Sequence, residues 1–342
     1  MSTNIYVNGK FLTQATTGVQ RYAIEMTRAL IVFFPLIKIV VPKKTSLVCN
    51  DFNQNILSTG LLKGTAWEQI SLPIFARKNN AILLNFCNVA PLFYSNSIVT
   101  IHDLGVFRQK KWYDWKFAFW YRFITPIIIE KSKHILTVSE TVKSELISMF
   151  NLQASKVLVT YNSVSKNVKQ AELEKERFIM HVGTLSDRKN IPFLVESFLA
   201  AELSNYSLVL IGKEDAHLSN HLNLTSSNTI KIYTDVSDVL LAEWYAKATY
   251  VISASNYEGF GLPILEGLIN QASAILTKTA VYQELYDKGC LFFEHNSSKE
   301  LINLFKKIDT TTSIESFSAY YDQKYKAANE AEKIVHLIQS LT

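Results

Sequence analysis

Two carboxylates, three glycines and a proline crowd into Ser255 to Gly267, which reads Ser-Asn-Tyr-Glu-Gly-Phe-Gly-Leu-Pro-Ile-Leu-Glu-Gly. Pro263 suits the first turn of a helix, where its missing N–H costs nothing, so the pattern predicts a helix from Leu262 to about Asn270. Gly259 and Gly261 lack a Cβ, so the backbone N–H groups of Gly259, Phe260, Gly261 and Leu262 can approach a diphosphate. The helix N-terminus favours its negative charge. Glu258 in the loop and Glu266 on the helix then offer two acceptors to one ligand, Glu258 to a transferred sugar and Glu266 to a pair of ribose hydroxyls. The alternative is that both are ordinary charges near a helix start, with Glu266 solvated.

A second cluster, His181-Val182-Gly183-Thr184-Leu185-Ser186-Asp187-Arg188-Lys189-Asn190-Ile191, follows an apolar run and opens another helix. Gly183 supplies a turn, and Arg188 and Lys189 supply a planar fork and a point charge that together neutralise a leaving diphosphate as its charge grows. A solvated pair at a helix start is the competing explanation. Gly18, where the loop after the first strand turns into a helix, can likewise present its N–H to a phosphate or sugar.

The run Glu-Gly-Phe-Gly-Leu-Pro-x-x-Glu is similar to the Glu-x7-Glu signature of the retaining, two-domain glycosyltransferases of family 4, and the resemblance covers nearly the whole chain. It implies transfer of a hexose or deoxyhexose from a nucleotide-diphosphate sugar to a glycan acceptor. Retention in this family is attributed to front-face attack in which a leaving-phosphate oxygen helps to remove the acceptor proton, so no protein base is required. His102 and Glu258 are then the residues that orient the reactants and stabilise an oxocarbenium-like state. His102-Asp103 matches the family's His-Asp element on the acceptor side, and Gly18 its first glycine element. The segment from Gly183 to Lys189 resembles Gly-Arg/Thr-x4-Lys, with Thr184 where many members carry Arg and Arg188 taken as its substitute. Ser139, Asn162 and Lys213 are weaker matches. Val236 falls where the family contacts the nucleobase through backbone, although Asp235 stands where glycine is common. Short members resemble bacterial mannosyl- and rhamnosyltransferases that build O-antigen, capsule or exopolysaccharide, which makes a lipid-linked acceptor the expected partner. The rivals are a nucleotide-sugar epimerase and a non-catalytic scaffold of the same fold.

Absent motifs narrow the field. There is no Asp-x-Asp, no Walker-type Gly-x4-Gly-Lys-Ser/Thr, no full Gly-x-Gly-x-x-Gly after the first strand and no Cys/His metal spacing. Catalysis is expected without metal or cofactor, the donor being a substrate. Cys49, Cys87 and Cys290 are scattered, which fits a reducing cytoplasm rather than a disulfide framework. The longest apolar run, Ala29 to Val41, is broken by Pro35 and Lys38, so no membrane span is expected.

Positioning these groups requires strands. Apolar runs at Asn4 to Val7, Lys38 to Val41, Ala81 to Leu84, Ile98 to His102 and His134 to Val138 alternate with amphipathic segments, beginning with a helix from about Gly18 to Phe34. A second series follows at Phe178 to Val182, Ser207 to Ile211, Ile230 to Tyr233, Tyr250 to Ser253 and Ala274 to Thr277. Such alternation reads as α/β, two Rossmann-like doubly wound domains joined by the polar stretch Lys166 to Arg177, with ligands at the carboxyl ends of the strands. A chain of 342 residues, 48% apolar, is long enough for two cores. The resemblance implies the GT-B architecture. An acceptor-side domain is expected over residues 1–168, a nucleotide-sugar domain over 169–313, and a C-terminal helix over 314–342 that returns to the first domain. The two domains would face a cleft.

Charge is divided unevenly: residues 1–170 hold 20 basic and 8 acidic side chains, the remainder 15 and 22. A basic first half suits an anionic partner. Phe107 to Phe123 mixes aromatics with Lys110, Lys111, Lys116 and Arg122, a composition that fits the inner-membrane surface or a half-buried helix. No nucleic-acid signature accompanies it.

Overall fold

Strands that are covered on both faces of a parallel sheet must be apolar throughout, and Ala81–Asn85 and Ser97–Ile101 are buried at every position. The computed structural model describes residues 4–49, 51–164, 173–215, 227–310 and 315–341. The chain divides into two compact units: Met1–Arg108, Trp115–Ser163 and Tyr325–Thr342 form one, Gln109–Asp114 and Val164–Lys324 the other.

The first unit is a seven-stranded parallel sheet of β1 (Asn4–Asn8), β2 (Lys38–Pro42), β3 (Ile56–Thr59), β4 (Ala81–Asn85), β5 (Ser97–Ile101), β6 (His134–Thr137) and β7 (Val157–Val159). Its order is β3-β2-β1-β4-β5-β6-β7, so the winding reverses between β1 and β4. The second unit holds β8 (Glu176–Val182), β9 (Ser207–Ile211), β10 (Ile230–Tyr233), β11 (Ala248–Ser253), β12 (Ser273–Thr277) and β13 (Cys290–Phe293) in the order β10-β9-β8-β11-β12-β13. There the winding reverses between β8 and β11, and all pairings in both sheets are parallel. Ligands of doubly wound sheets bind at such reversals.

Three strands escape the sequence pattern, and all are edge strands. β3, β7 and β13 span 4, 3 and 4 residues, too few to show a period, and each is paired on one side alone.

The expected C-terminal helix is two helices. Ser318–Lys324 packs on Leu262–Ile269 in the second unit, with Ser318 Oγ donating to Ile269 O. Ala327–Leu341 packs on the helix Gly18–Phe33 in the first unit. Its buried Ala331, Ile334, Val335 and Ile338 follow helical spacing. Buried Glu330 accepts from Tyr161 N at 2.9 Å and Lys333 Nζ at 2.7 Å. Much of the expected charged connection falls outside the described residues, β8 beginning at Glu176, and the boundary placed at 168/169 lies there too, as does residue 314, where the C-terminal segment was to begin.

The aromatic and basic stretch is also divided. Gly105–Arg108 and Lys110–Trp112 are short helical turns, and a new helix runs from Trp115 to Lys131. Trp112 belongs to the second unit and stacks on Tyr257 with ring centroids 6.5 Å apart.

Candidate active site

In the second unit, the neighbouring strands β8 and β11 deliver the two motifs to one place. The turn after β8 carries Gly183, Arg188 and Lys189, and the loop after β11 carries Glu258 and the glycines. The loops are tied by backbone: Asn256 N donates to Arg188 O at 2.9 Å, and Asn256 Nδ2 to Asp187 O at 2.8 Å. Glu258 is 8% exposed. Its Oε1 accepts from Lys189 Nζ, and Arg188 Nη1 stands 3.5 Å from Oε2 while donating to Tyr257 O at 3.1 Å. Two cations against one buried carboxylate leave a net positive site.

Burial alone would raise the Glu258 pKa, but the Lys189 and Arg188 charges, with hydrogen bonds from Lys189 and Ser255, bring it down to about 2. His181 next to this cluster has its pKa lowered to about 4, by burial first and then by the Lys189 charge. Both folded values lie below the ordinary 4.5 and 6.5, so the unfolded chain binds these protons first on acidification. The contribution of His181 is therefore complete above pH 6.5 and is lost toward pH 4, and that of Glu258 is lost between 4.5 and 2. A melting-temperature series should fall through the first window in the parent and flatten there in His181→Phe; equal slopes would contradict this.

Gly261 is the N-cap of Leu262–Ile269 with φ +83°. A Cβ there would stand 2.6 Å from the Tyr282 ring, so both the backbone conformation and the space require glycine. Tyr286 Oη donates to Gly261 O at 3.1 Å, and Tyr282 Oη to Ser253 Oγ at 2.7 Å. Tyr282 in the helix Ala280–Leu285 and Tyr286 just past its end brace this turn, and nothing in the sequence motif marked them. Phe260 and Leu262 are buried. Glu266, 8% exposed, is not the solvated helical charge of the alternative reading. The helix bearing it lies close on β11, where Gly267 faces Val251 without room for a Cβ.

The peripheral matches differ. Lys213 is exposed and pairs at 2.8 Å with equally exposed Asp235, an arrangement worth little. Asp235 takes φ +53°, so it occupies a glycine-like backbone position without being glycine, and Val236 beside it is half-buried.

In the first unit, His102 directly follows β5. Its Nε2 donates to Phe86 O at 2.8 Å, and its backbone N to Asn88 Oδ1 at 2.7 Å. Burial lowers its pKa, against the opposing hydrogen bond to Phe86 and the Asp103 charge. With Nε2 donating, the ring's Nδ1 is left as an acceptor. Tyr22 from the Gly18–Phe33 helix lies edge-on to the His102 ring at 4.8 Å, which brings the Gly18 helix to His102. Asp103 Oδ1 accepts from Gly105 N at 2.9 Å, and Ser139 caps Glu140–Phe150 through Val142 N at 3.2 Å, so each has a local backbone task. Buried Asn162 leaves its Oδ1 without a partner among the described residues.

A group the sequence did not single out lies in the same unit. Glu68, 2% exposed, accepts from Lys10 Nζ at 2.6 Å and from Asn8 Nδ2 at 2.9 Å. They line a cavity of about 220 Å³ with Gln20, Asn88, Phe117 and Tyr121. A carboxylate and a lysine 58 residues apart in sequence give no local signal.

Residues 164–316 match the family model described as glycosyl transferases group 1. The chain is 25% identical over 338 residues to the O-antigen chain mannosyltransferase RfbU of Salmonella typhimurium, spanning 92% of this chain and 95% of that protein. It is 26% identical over 202 residues to the O-antigen chain mannosyltransferase B of Escherichia coli, spanning 52% and 53%. Among solved structures, Anabaena HepE in complex with UDP and glucose superposes with a TM-score of 0.71 at 13% identity, covering 99% of this chain and all of that one. WaaG, a glycosyltransferase involved in lipopolysaccharide biosynthesis, gives 0.67 at 12% identity over 96% and 93%. The fold is GT-B, two Rossmann-like α/β domains with parallel sheets. The chain is a glycosyltransferase, with a group 1 domain over residues 164–316.

Proposed function

We propose that the protein transfers a hexose, mannose in the first instance, from a nucleoside-diphosphate sugar to a lipid-linked glycan during synthesis of a bacterial surface polysaccharide, with retention, in the manner of family 4. The observation that carries this reading is buried, ionised Glu258 held by Lys189 and Arg188 beside a glycine-opened helix start at the β8/β11 reversal. Arg188, Lys189 and the helix N-terminus meet the charge that grows on the leaving diphosphate, while Glu258 accepts from the sugar and faces its developing positive charge. Glu266 takes the ribose hydroxyls, and His102 orients the acceptor in the first unit. Mannose comes from the names of the relatives, both mannosyltransferases; they favour neither an epimerase nor a scaffold.

Thermal shifts with UDP, GDP, dTDP and CMP test the reading without an acceptor, because a ligand of the native state alone raises stability by RT ln(1 + [L]/Kd). One nucleoside diphosphate should stabilise the protein, and its mannose conjugate should then be consumed with a lipid-linked acceptor. A flat response to all four would count against the reading.

In this reading Arg188 and Lys189 supply the positive charge that balances the diphosphate, so we expect chelation with EDTA to leave turnover within about twofold of the untreated enzyme. Recovery of a lost activity by added Mg²⁺ or Mn²⁺ would refute this.

A peripheral membrane contact is proposed through the helix Trp115–Lys131. Trp115, Phe119 and Phe123 recur every four residues and are 71%, 69% and 56% exposed, with Lys116 on the same helix. Among the described residues no helix is long and apolar enough to cross a membrane. Replacing all three aromatics by Ser should abolish cosedimentation with anionic vesicles while leaving nucleotide binding intact; unchanged cosedimentation would refute the contact.

A further inference from the structure

His181 stands at the penultimate position of β8 and is 2% exposed. Its Nδ1 is 3.3 Å from Ile252 O on the neighbouring strand β11. A carbonyl only accepts, so Nδ1 carries the proton of the neutral ring and Nε2 presents a lone pair. Burial and the Lys189 charge keep the ring neutral near physiological pH. That lone pair has no partner among the described residues, a costly state for a buried acceptor.

The lone pair is buried but borders a small space over Gly183. Gly183 has φ +140°, a conformation that excludes ordinary side chains, and the point where its Cβ would stand is 3.8 Å from His181 Nε2 and 3.7 Å from Lys189 Nζ. All neighbours of that point are at ordinary contact distance, so one heavy atom fits there. The unclaimed acceptor and the lysine that holds Glu258 therefore border the same small space. A phosphate oxygen, itself an acceptor at neutral pH, has no proton to offer Nε2. A hydroxyl does.

We infer that His181 accepts a hydrogen bond, through Nε2, from one hydroxyl of the donor's sugar in the space over Gly183, which makes it a specificity-determining residue for the transferred sugar. This rests on the nucleotide-sugar reading above. Its selectivity is for a proton-bearing substituent at one ring position, whereas Glu258 and Lys189 act on charge.

The test pairs His181→Phe with a series of nucleotide sugars in which each sugar hydroxyl in turn is replaced by hydrogen. The parent should use one deoxy donor about 10- to 100-fold less well in kcat/KM. His181→Phe should show the loss with the natural donor and no further loss with that deoxy donor, while its Kd for the free nucleoside diphosphate stays within about twofold of the parent. Retained discrimination against every deoxy donor, or equal weakening of the free diphosphate, would overturn the inference while leaving the transferase reading intact. A parent that binds neither nucleoside diphosphate nor nucleotide sugar would overturn both. Should the variant not fold, ¹⁵N spectra of the parent's histidines decide. The inference requires a neutral Nδ1–H ring whose Nε2 signal moves with nucleotide sugar and not with the diphosphate alone, and an Nε2–H tautomer, or the same shift with both ligands, sinks it.

Discussion

Lys189→Ala is expected to cut turnover at saturating donor by about 10²- to 10³-fold, the scale of losing one preorganised charge aimed at a developing negative charge. It should also cost about 3 kcal/mol of stability, because a buried carboxylate loses its hydrogen-bonded counter-charge. Arg188, 3.5 Å from the other oxygen, keeps the loss at the lower end of what breaking a buried pair costs. The two effects separate in a double variant. Lys189→Met with Glu258→Leu removes both charges, so thermal stability should return toward the parent while turnover stays lost. Single-turnover kinetics alongside thermal melts would check this. A Lys189→Ala protein as active as the parent would remove the lysine from the diphosphate's surroundings, and a double variant no more stable than the single one would show that the pair is not coupled through burial.

The arrangement of the candidate site was legible where it is local in sequence. The glycines, Pro263 and Glu258 lie within a few residues of one another, and the helix expected from Leu262 is observed over Leu262–Ile269. The spacing from Gly183 to Lys189 is similarly compact, and the central strands of both sheets, apolar on both faces, stood out from the sequence alone. What could not be read depends on distant partners. The ion pair of Glu258 crosses 69 residues, and the tautomer of His181 is set by a carbonyl 71 residues away. His181 lay inside the motif without a role because neither its proton nor its empty lone pair has a sequence signature. Glu266 looked the same as a solvated helical glutamate until its burial was known. Asp103 and Ser139 were singled out for their neighbours in the motif, and the fold gives each a capping or turn hydrogen bond that any such residue could make. Three of the four edge strands, β3, β7 and β13, escaped because a run of three or four residues carries little period to separate from noise.

The second large effect comes from a glycine outside both motifs. Gly212, just after β9, has φ +156°, and a Cβ there would stand 1.9 Å from Gly183 O and 2.7 Å from Gly183 C. Those atoms are backbone and cannot swing aside as a flexible side chain would. Nor can the two turns separate cheaply: Gly183 N donates to Ile211 O at 2.9 Å, and Leu185 N to Lys213 O at 2.8 Å, so drawing them apart breaks the ladder that extends past the strand ends. Gly212→Ala should therefore cost about 3 kcal/mol or more, from overlap and backbone strain together. The displaced turn carries Gly183, with Arg188 and Lys189 a few residues on, so affinity for the nucleoside diphosphate should fall by about tenfold or more, since a change of 1.4 kcal/mol suffices for that. Gly64 supplies the control. Its φ is +55°, but no atom lies within 4 Å of its Cβ position, so Gly64→Ala bears conformational strain alone, about 1 kcal/mol, and leaves the site untouched. Melting curves and nucleotide titrations of the two variants distinguish contact from conformation. If Gly212→Ala melts with Gly64→Ala and binds as the parent does, the close approach of these two turns is not what holds the donor side in place.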